Sequence, residues 1–388
     1  MSEAIVALVP VADYDQARVD AAVETGIALL GGIGQYVQPE QKILLKPNLL
    51  GRHAPEKAVT THPAVFAAVA KLLREAGYAH LTYGDSPGNP ATTPLRAAEG
   101  CGLAEVAARY DIPLADFENG QEVRFREGEV PRSFTVCKGV LEADTLINLC
   151  KMKTHALERL TGAVKNQYGC ICGLSKSAGH TQYPTAERFA EMLADLNRLV
   201  RPALHIMDGI VAMEGNGPAS GTPVPMRVLL FSADPVALDS VFASLVHLAP
   251  EAVPTGPAGQ RVGLGVMESD RITVRTPEGD LTPQEAAARY GNDRFEVDRG
   301  ALNRSILSKI GFLAPLLQDR PRVDRQRCIA CGICEEACPV QGKAVHSGHG
   351  KKAAYDYSRC IRCYCCQEMC PAKAITVHRP RIKKLLGG

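Results

Sequence analysis

Nine of the chain's fourteen cysteines fall between Cys328 and Cys370, and eight of the nine obey one spacing used twice. Cys328, Cys331, Cys334 and Cys338-Pro339 form the first run; Cys360, Cys363, Cys366 and Cys370-Pro371 form the second. Both read C-x2-C-x2-C-x3-C-P. Two intervening residues let consecutive thiolates wrap one corner of an iron–sulfur cube, while the fourth cysteine of each run ligates the other cube. The expected sets are therefore Cys328, Cys331, Cys334 and Cys370 for one [4Fe–4S] cluster, and Cys338, Cys360, Cys363 and Cys366 for a second. Zinc is the competing metal, but its sites use two C-x2-C pairs and do not need three evenly spaced cysteines followed by C-P. Cys365 is left over as a non-ligand, with its register against Cys366 open.

These runs resemble the bacterial two-cluster ferredoxins, which implies an α+β module over 321–388 and one-electron transfer. Ile329, Ile333, Val345, Ile361, Ile375 and Val377 are expected to supply its small core. Charge separates this region from the rest. Residues 321–388 carry 13 Lys/Arg and 5 Asp/Glu, and the remainder carries 31 and 37. Two oxidised clusters at about −2 each would offset roughly half of that local excess. The remaining basic side chains could dock the module on the acidic part or simply face solvent.

Fourteen cysteines in a chain of 388 residues do not suggest a disulfide framework, which belongs to small secreted proteins. The opening MSEAIVALVPVADYDQ has no basic segment ahead of its apolar run and does not read as a signal peptide. No apolar run approaches the ~20 residues of a membrane span. A cytoplasmic location with no transmembrane segment is the expectation.

Upstream, strand-like and helix-like segments alternate. Ala4–Val9, Lys42–Lys46, His80–Tyr83, Thr145–Leu149, Ala203–Met207 and Val228–Phe231 read as strands. Asp13–Leu30, Pro63–Ala76, Thr93–Tyr110, Thr185–Val200 and Asp234–His247 read as helices, and Glu122–Val136 as a hairpin. That alternation predicts an α/β unit over 1–290, a largely parallel sheet with helices on both faces. Residues 291–320 read as a linker containing an amphipathic helix.

Ordered blocks through this unit resemble the DUF362 family: Lys46–Asn48, Thr60–Pro63, Gly84–Gly88, Asn148–His155, Thr161–Gly169, Asp208–Pro218 and Ser232–Val241. The resemblance implies a family without an agreed activity, often fused to this type of ferredoxin module, so chemistry must come from the residues. Most of these blocks follow an apolar strand, and in an open parallel sheet such positions gather in one crevice. The gathered set would be Lys46, Asn48, His62, Asp85, Ser86, Lys151, Lys153, His155, Lys165, Asn166, Asp208, Glu214, Asp234 and Asp239. Asp234 and Ser232 suit a cap for the helix that begins at Pro235 better than a catalytic role. The candidates for catalysis are Lys46, Asp85, Lys151, Lys153, His155 and Lys165, because buried lysines and a histidine are costly unless an anion meets them. Cys170 and Cys172 are expected as small buried residues, with metal binding or reaction with substrate as alternatives.

No G-x-G-x-x-G follows the first strand and no Walker-type loop is present, so nicotinamide, flavin and ATP have no support. No nucleic-acid module is recognisable either. The expectation is an iron–sulfur oxidoreductase acting on a small anionic substrate and served by a redox partner protein. The alternatives are a non-catalytic carrier or reductive activator docking a metalloenzyme, and a cluster used structurally or as a redox sensor.

Overall fold

Alternation along two buried strands sets the layers. In Ala4–Pro10 (β1), Ala7 and Val9 join one core while Val6 and Leu8 join another. Thr222–Ser232 (β9) does the same, with Leu229 and Phe231 opposite Val228 and Leu230. A strand buried on both faces reads as a continuous apolar run because helices cover each side. Helices Gln16–Leu29 and Pro63–Glu75 pack on the first face, and Pro235–Leu245 and Pro283–Tyr290 on the second.

A computed structural model describes residues 4–88, 92–173, 175–300, 319–348 and 350–380. Its main sheet also contains Ile43–Pro47 (β2), Leu81–Tyr83 (β3), Thr145–His155 (β6), Arg159–Thr161 (β7), Leu204–Glu214 (β8), Ile272–Thr276 (β10) and Gly279–Leu281 (β11). The order is β11-β10-β1-β9-β8-β6-β2-β3, with β7 paired to β6. Strands β3, β2, β6, β8, β1 and β10 run one way, and β7, β9 and β11 run against them. The sheet is thus largely parallel with helices on both faces, as the alternation of segments predicts. Gly120–Arg124 (β4) and Ser133–Cys137 (β5) form the expected hairpin beside it.

Three local expectations need correction. Thr93–Tyr110 is two helices, Pro94–Gly100 and Leu103–Arg109, because Gly102 takes φ +79° and turns the chain between them. The strand beginning at Thr145 does not stop at Leu149 but runs on to His155, so Lys151, Lys153 and His155 lie within β6 rather than after it. Likewise β8 extends to Glu214, which places Asp208 inside a strand. The long arms of β6 and β8 find partners in β7 and β9, so their polar residues stay in the ladder. The amphipathic helix expected in the linker falls on 301–318, outside the described residues.

The C-terminal region repeats one small unit. Arg320–Val323 (β12) pairs with Ile375–His378 (β15), and Val345–Gly348 (β13) with Lys351–Tyr355 (β14). Short helices Ile333–Glu336 and Cys365–Glu368 sit within the two cysteine runs. Val345 and Ile375 are buried in its core, but Ile329 is 64% exposed, contrary to expectation. It precedes the helix Ile333–Glu336 on a loop where Arg325, Gln326, Arg327 and Cys331 are also exposed.

Candidate site between an α/β unit and two cysteine cavities

The eight motif cysteines divide between two cavities. Cys328, Cys331, Cys334 and Cys370 line one, walled by Val323, Ala353 and Ile375. Cys338, Cys360, Cys363 and Cys366 line another, beside Val345 and Tyr355. In each, the fourth cysteine comes from the opposite run, which is the crosswise pattern the spacing predicts. Among the described residues, no three His, Cys, Asp or Glu side chains close around a single metal-ion position. Four sulfurs standing around a cavity suit a cube of iron and sulfide better than one zinc, whose thiolates approach to ~2.3 Å. Backbone amides already point at the sulfurs: Ala344 donates to Cys338 and Ala374 to Cys370, each at 3.3 Å.

The carboxyl ends of β3, β2, β6 and β8 lie along one edge of the sheet, where ligands of such folds gather. Two buried ion pairs occupy part of this edge. Lys46 Nζ sits 2.9 Å from Asp85 Oδ1, and Asp85 Oδ2 accepts from the Leu49 amide at 2.7 Å. Gly169 packs so closely that a Cβ there would lie 1.7 Å from Asp85 Oδ1, so only glycine fits over the pair. Lys151 Nζ sits 2.7 Å from Asp208 Oδ2 and 2.8 Å from the Tyr14 hydroxyl. Asp208 also accepts from Tyr14 and from the His62 amide, and the Tyr14 and His62 rings stack at 3.5 Å. Burial lowers the Lys151 ammonium against the pull of Asp208. Lys46 and Lys151 are thus neutralised within the protein.

His155 is held differently. Its Nδ1 accepts from the amides of Leu157 and Glu158, each at 3.1 Å, so a neutral ring carries its proton on Nε2. That atom stands 3.0 Å from Glu368 Oε1, within ion-pair reach but off the axis of a hydrogen bond. Burial, with Lys165 nearby, brings the His155 pKa down to about 4. Burial alone would raise the Glu368 carboxyl, but His155, Lys165 and His180 outweigh it and keep it ionised. Glu368 belongs to the second cysteine run, so this contact joins the module to the sheet.

Between the two lies a solvent-open cleft of about 160 Å³, room for a small anion. Its α/β wall includes Lys153, Lys165, Asp85, Asn48 and Asn166; its module wall includes Glu336, Cys365, Glu368 and Met369. Among the described residues, Lys153 donates only to neutral oxygens, Asn48 Oδ1 and Val59 O, both at 2.7 Å. Burial, then Lys165 and Lys151, lower its pKa to about 7. Lys176 donates to the carbonyls of Ser86 and Pro87, and burial brings it to about 8.

Of the six candidates for catalysis, Lys153, Lys165 and Asp85 line the cleft, while Lys46, Lys151 and His155 stand behind it. Of the wider set, Asn48, Ser86 and Asn166 also line it. His62 caps the helix Pro63–Glu75, and Glu214 accepts from the Glu296 amide. Asp234 follows β9, which runs antiparallel, so it lies at the opposite edge and caps the helix Pro235–Leu245. Asp239 instead caps the short helix Ala163–Asn166 through the amides of Ala163 and Val164. Sequence reasoning missed Lys176 and His180; their only signal was the polar run Ser175–Gln182 between apolar segments. Cys170 and Cys172 lie in an apolar cluster with Leu44, Phe117 and Cys137, and burial pushes the Cys170 thiol up to about 12.

The sheet, the cleft and the paired cavities define an α/β protein carrying a C-terminal ferredoxin-type module, and residues 319–374 match the 4Fe-4S dicluster domain. No helix among the described residues is long and apolar enough to cross a membrane. The chain belongs to the DUF362 family: residues 43–244 match its domain of unknown function. It is 37% identical over 252 residues to the thylakoid-associated protein sll1697 of Synechocystis sp., covering 65% of this chain and 77% of that one. Two solved structures match more distantly, each at 11% identity. Lactate racemase apoprotein from Thermoanaerobacterium thermosaccharolyticum covers 59% of this chain and 54% of its own, at a TM-score of 0.40. A Thermotoga maritima protein covers 63% and 59%, at 0.35. The chain thus spans little more than half the length of the solved structures it matches.

Proposed function

We propose that this protein is an iron–sulfur oxidoreductase that passes electrons to a small anion held in the cleft between its α/β unit and its cysteine module. The observation that carries this reading is the shared wall: Lys153 and Lys165 face the same cleft as Cys365 and Glu368, which lie within the second cysteine run. Cys328, Cys331, Cys334 and Cys370 would hold one [4Fe–4S] cluster, and Cys338, Cys360, Cys363 and Cys366 the other. When bound, the clusters supply one-electron transfer. The lysines hold and orient the anion, and Asn48 with Val59 O fixes the Lys153 ammonium toward it. Lys153 and Lys176, with pKa values brought near neutrality, are suited to give a proton to a reduced substrate.

Electrons would enter at the far side of the module. Cys331 is exposed there beside Ile329, and Arg325, Arg327, Lys351 and Lys352 are exposed around them. A basic rim around an apolar tip suits an acidic redox partner protein. We place the chain in the cytoplasm, where a reducing environment preserves clusters and free thiols. The Synechocystis relative is named as thylakoid-associated, which is compatible with peripheral association.

The test is anaerobic reconstitution of the full chain, chemical reduction, removal of excess reductant, and a screen for small anions that restore the oxidised visible spectrum. Reoxidation by one compound class, lost in Lys153→Met, supports the reading. Reoxidation by proteins alone would replace it with that of a non-catalytic carrier, which the exposed rim would equally serve.

A further inference from the structure

We infer that the cleft is built for a compact dianion, a phosphate monoester or a dicarboxylate, gripped by Lys153, Lys165 and Lys176 together with His180. This deepens the proposed function and rests on the cleft being its substrate site.

Three segments bring the ammoniums together: Lys153 from β6, Lys165 from the short helix Ala163–Asn166, and Lys176 from the helix Ser175–Gln182. None of the three has a carboxylate within ion-pair distance among the described residues, and Lys153 and Lys176 are buried, where lysines are normally paired. Lys46 already cancels Asp85, and Glu336 is exposed at the mouth. Three ammoniums therefore face one unneutralised inner carboxylate, Glu368. Two negative charges complete the balance, and a monoanion leaves it half made.

His180 gives an independent sign of a missing partner. It is 7% exposed, lines the cleft, and its Nδ1 has no hydrogen-bond partner. The ring is fixed by stacking on Phe189 at 4.5 Å and by the edge of Tyr168. Burial keeps it neutral, so one ring nitrogen carries a proton that an anion oxygen can accept. Lysines act as point charges from several directions, whereas Arg provides a planar fork for a single carboxylate. Among the described residues, no arginine lines the cleft. The lowered pKa values of Lys153 and Lys176 fit ammoniums that await an anion.

Isothermal titration of the anaerobically reconstituted full chain, at constant ionic strength and slightly acid pH, tests this with inorganic phosphate, succinate and acetate. Phosphate or succinate should bind at least about tenfold more tightly than acetate, and the tighter of the two separates a phosphate ester from a dicarboxylate. Lys165→Met and Lys176→Met should each weaken that binding about tenfold or more, with Lys165→Arg largely retaining it. Unchanged iron content and visible spectrum show that the variants fold. Acetate binding as tightly as the dianions, no binding of either dianion, or full affinity in folded Lys165→Met would overturn the inference. A dianion that binds but never reoxidises the reduced protein leaves this inference standing and removes the oxidoreductase reading. Reoxidation by a monoanion, without dianion binding, does the reverse.

Discussion

Asp208 accepts from the Lys151 ammonium, the Tyr14 hydroxyl and the amides of His62 and Ile210, all away from water. Removing one partner of such a pair leaves an uncompensated buried charge. Asp208→Ala should therefore destabilise by about 3–5 kcal/mol, whereas the double change Lys151→Met, Asp208→Leu should cost much less. Denaturant unfolding of both variants checks the contrast. Lys153 and Lys176 give the pH dependence. Lys153 is faced by Lys165, Lys151, Glu368 and Asp85, and Lys176 by Asp85, Cys137, Lys46 and Cys170. Both lysines titrate near neutrality when folded, at about 7 and about 8, against 10.5 as the ordinary lysine value. Between these values the unfolded chain binds more protons at these two lysines, so their contribution to the stability of the ligand-free protein rises with pH across that window. Anion affinity should run the other way, full below the Lys153 pKa and falling as pH rises past both lysines. Titrations across that range would refute this by showing constant affinity.

At the scale of elements, helix Gln16–Leu29 was legible from its apolar spacing, and the structure adds the Asp15 N-cap, which accepts from the Arg18 amide. How near it lies to β9 was not legible. A Cβ on Gly26 would meet the Phe231 ring at 2.2 Å, so the helix rides directly on that side chain. Gly26→Ala should cost about 1–3 kcal/mol through overpacking, and Phe231→Leu in the same chain should recover part of the loss. Thermal unfolding of the single and double variants decides it; a neutral Gly26→Ala would show that the ring moves freely. The extension of β6 was missed for a related reason. Met-Lys-Thr-His carries no apolar run, and only pairing with β7 and β8 makes it a strand.

For the molecule as a whole, the junction between the α/β unit and the module depends on few groups. Gln367, fully buried, donates to Asn216 O, Asn216 Oδ1 and Gly217 O at 3.0, 3.0 and 3.1 Å. Asn216 in turn donates to Ile375 O, and Arg379 meets Asp298 at 3.4 Å. Gln367→Ala leaves those buried carbonyls without their donor and should loosen the junction by about 1–3 kcal/mol. Faster hydrogen exchange in β15 with unchanged iron content is the expected result. Unaltered exchange would mean that other contacts, such as His155 with Glu368, hold the module in place.

The cysteine spacing by itself determined the ferredoxin-type module, because ligand geometry is written in short local intervals. Alternating apolar periods determined the layered α/β fold for the same reason. The cleft was decided only by tertiary structure. Lys46 and Lys151 looked no different in the sequence from Lys153 and Lys165. What separates them is a carboxylate from a distant segment, Asp85 or Asp208, which neutralises the first two and leaves the others facing open space. Charge compensation depends on distances through space, and no local pattern records which acid folds back onto which lysine.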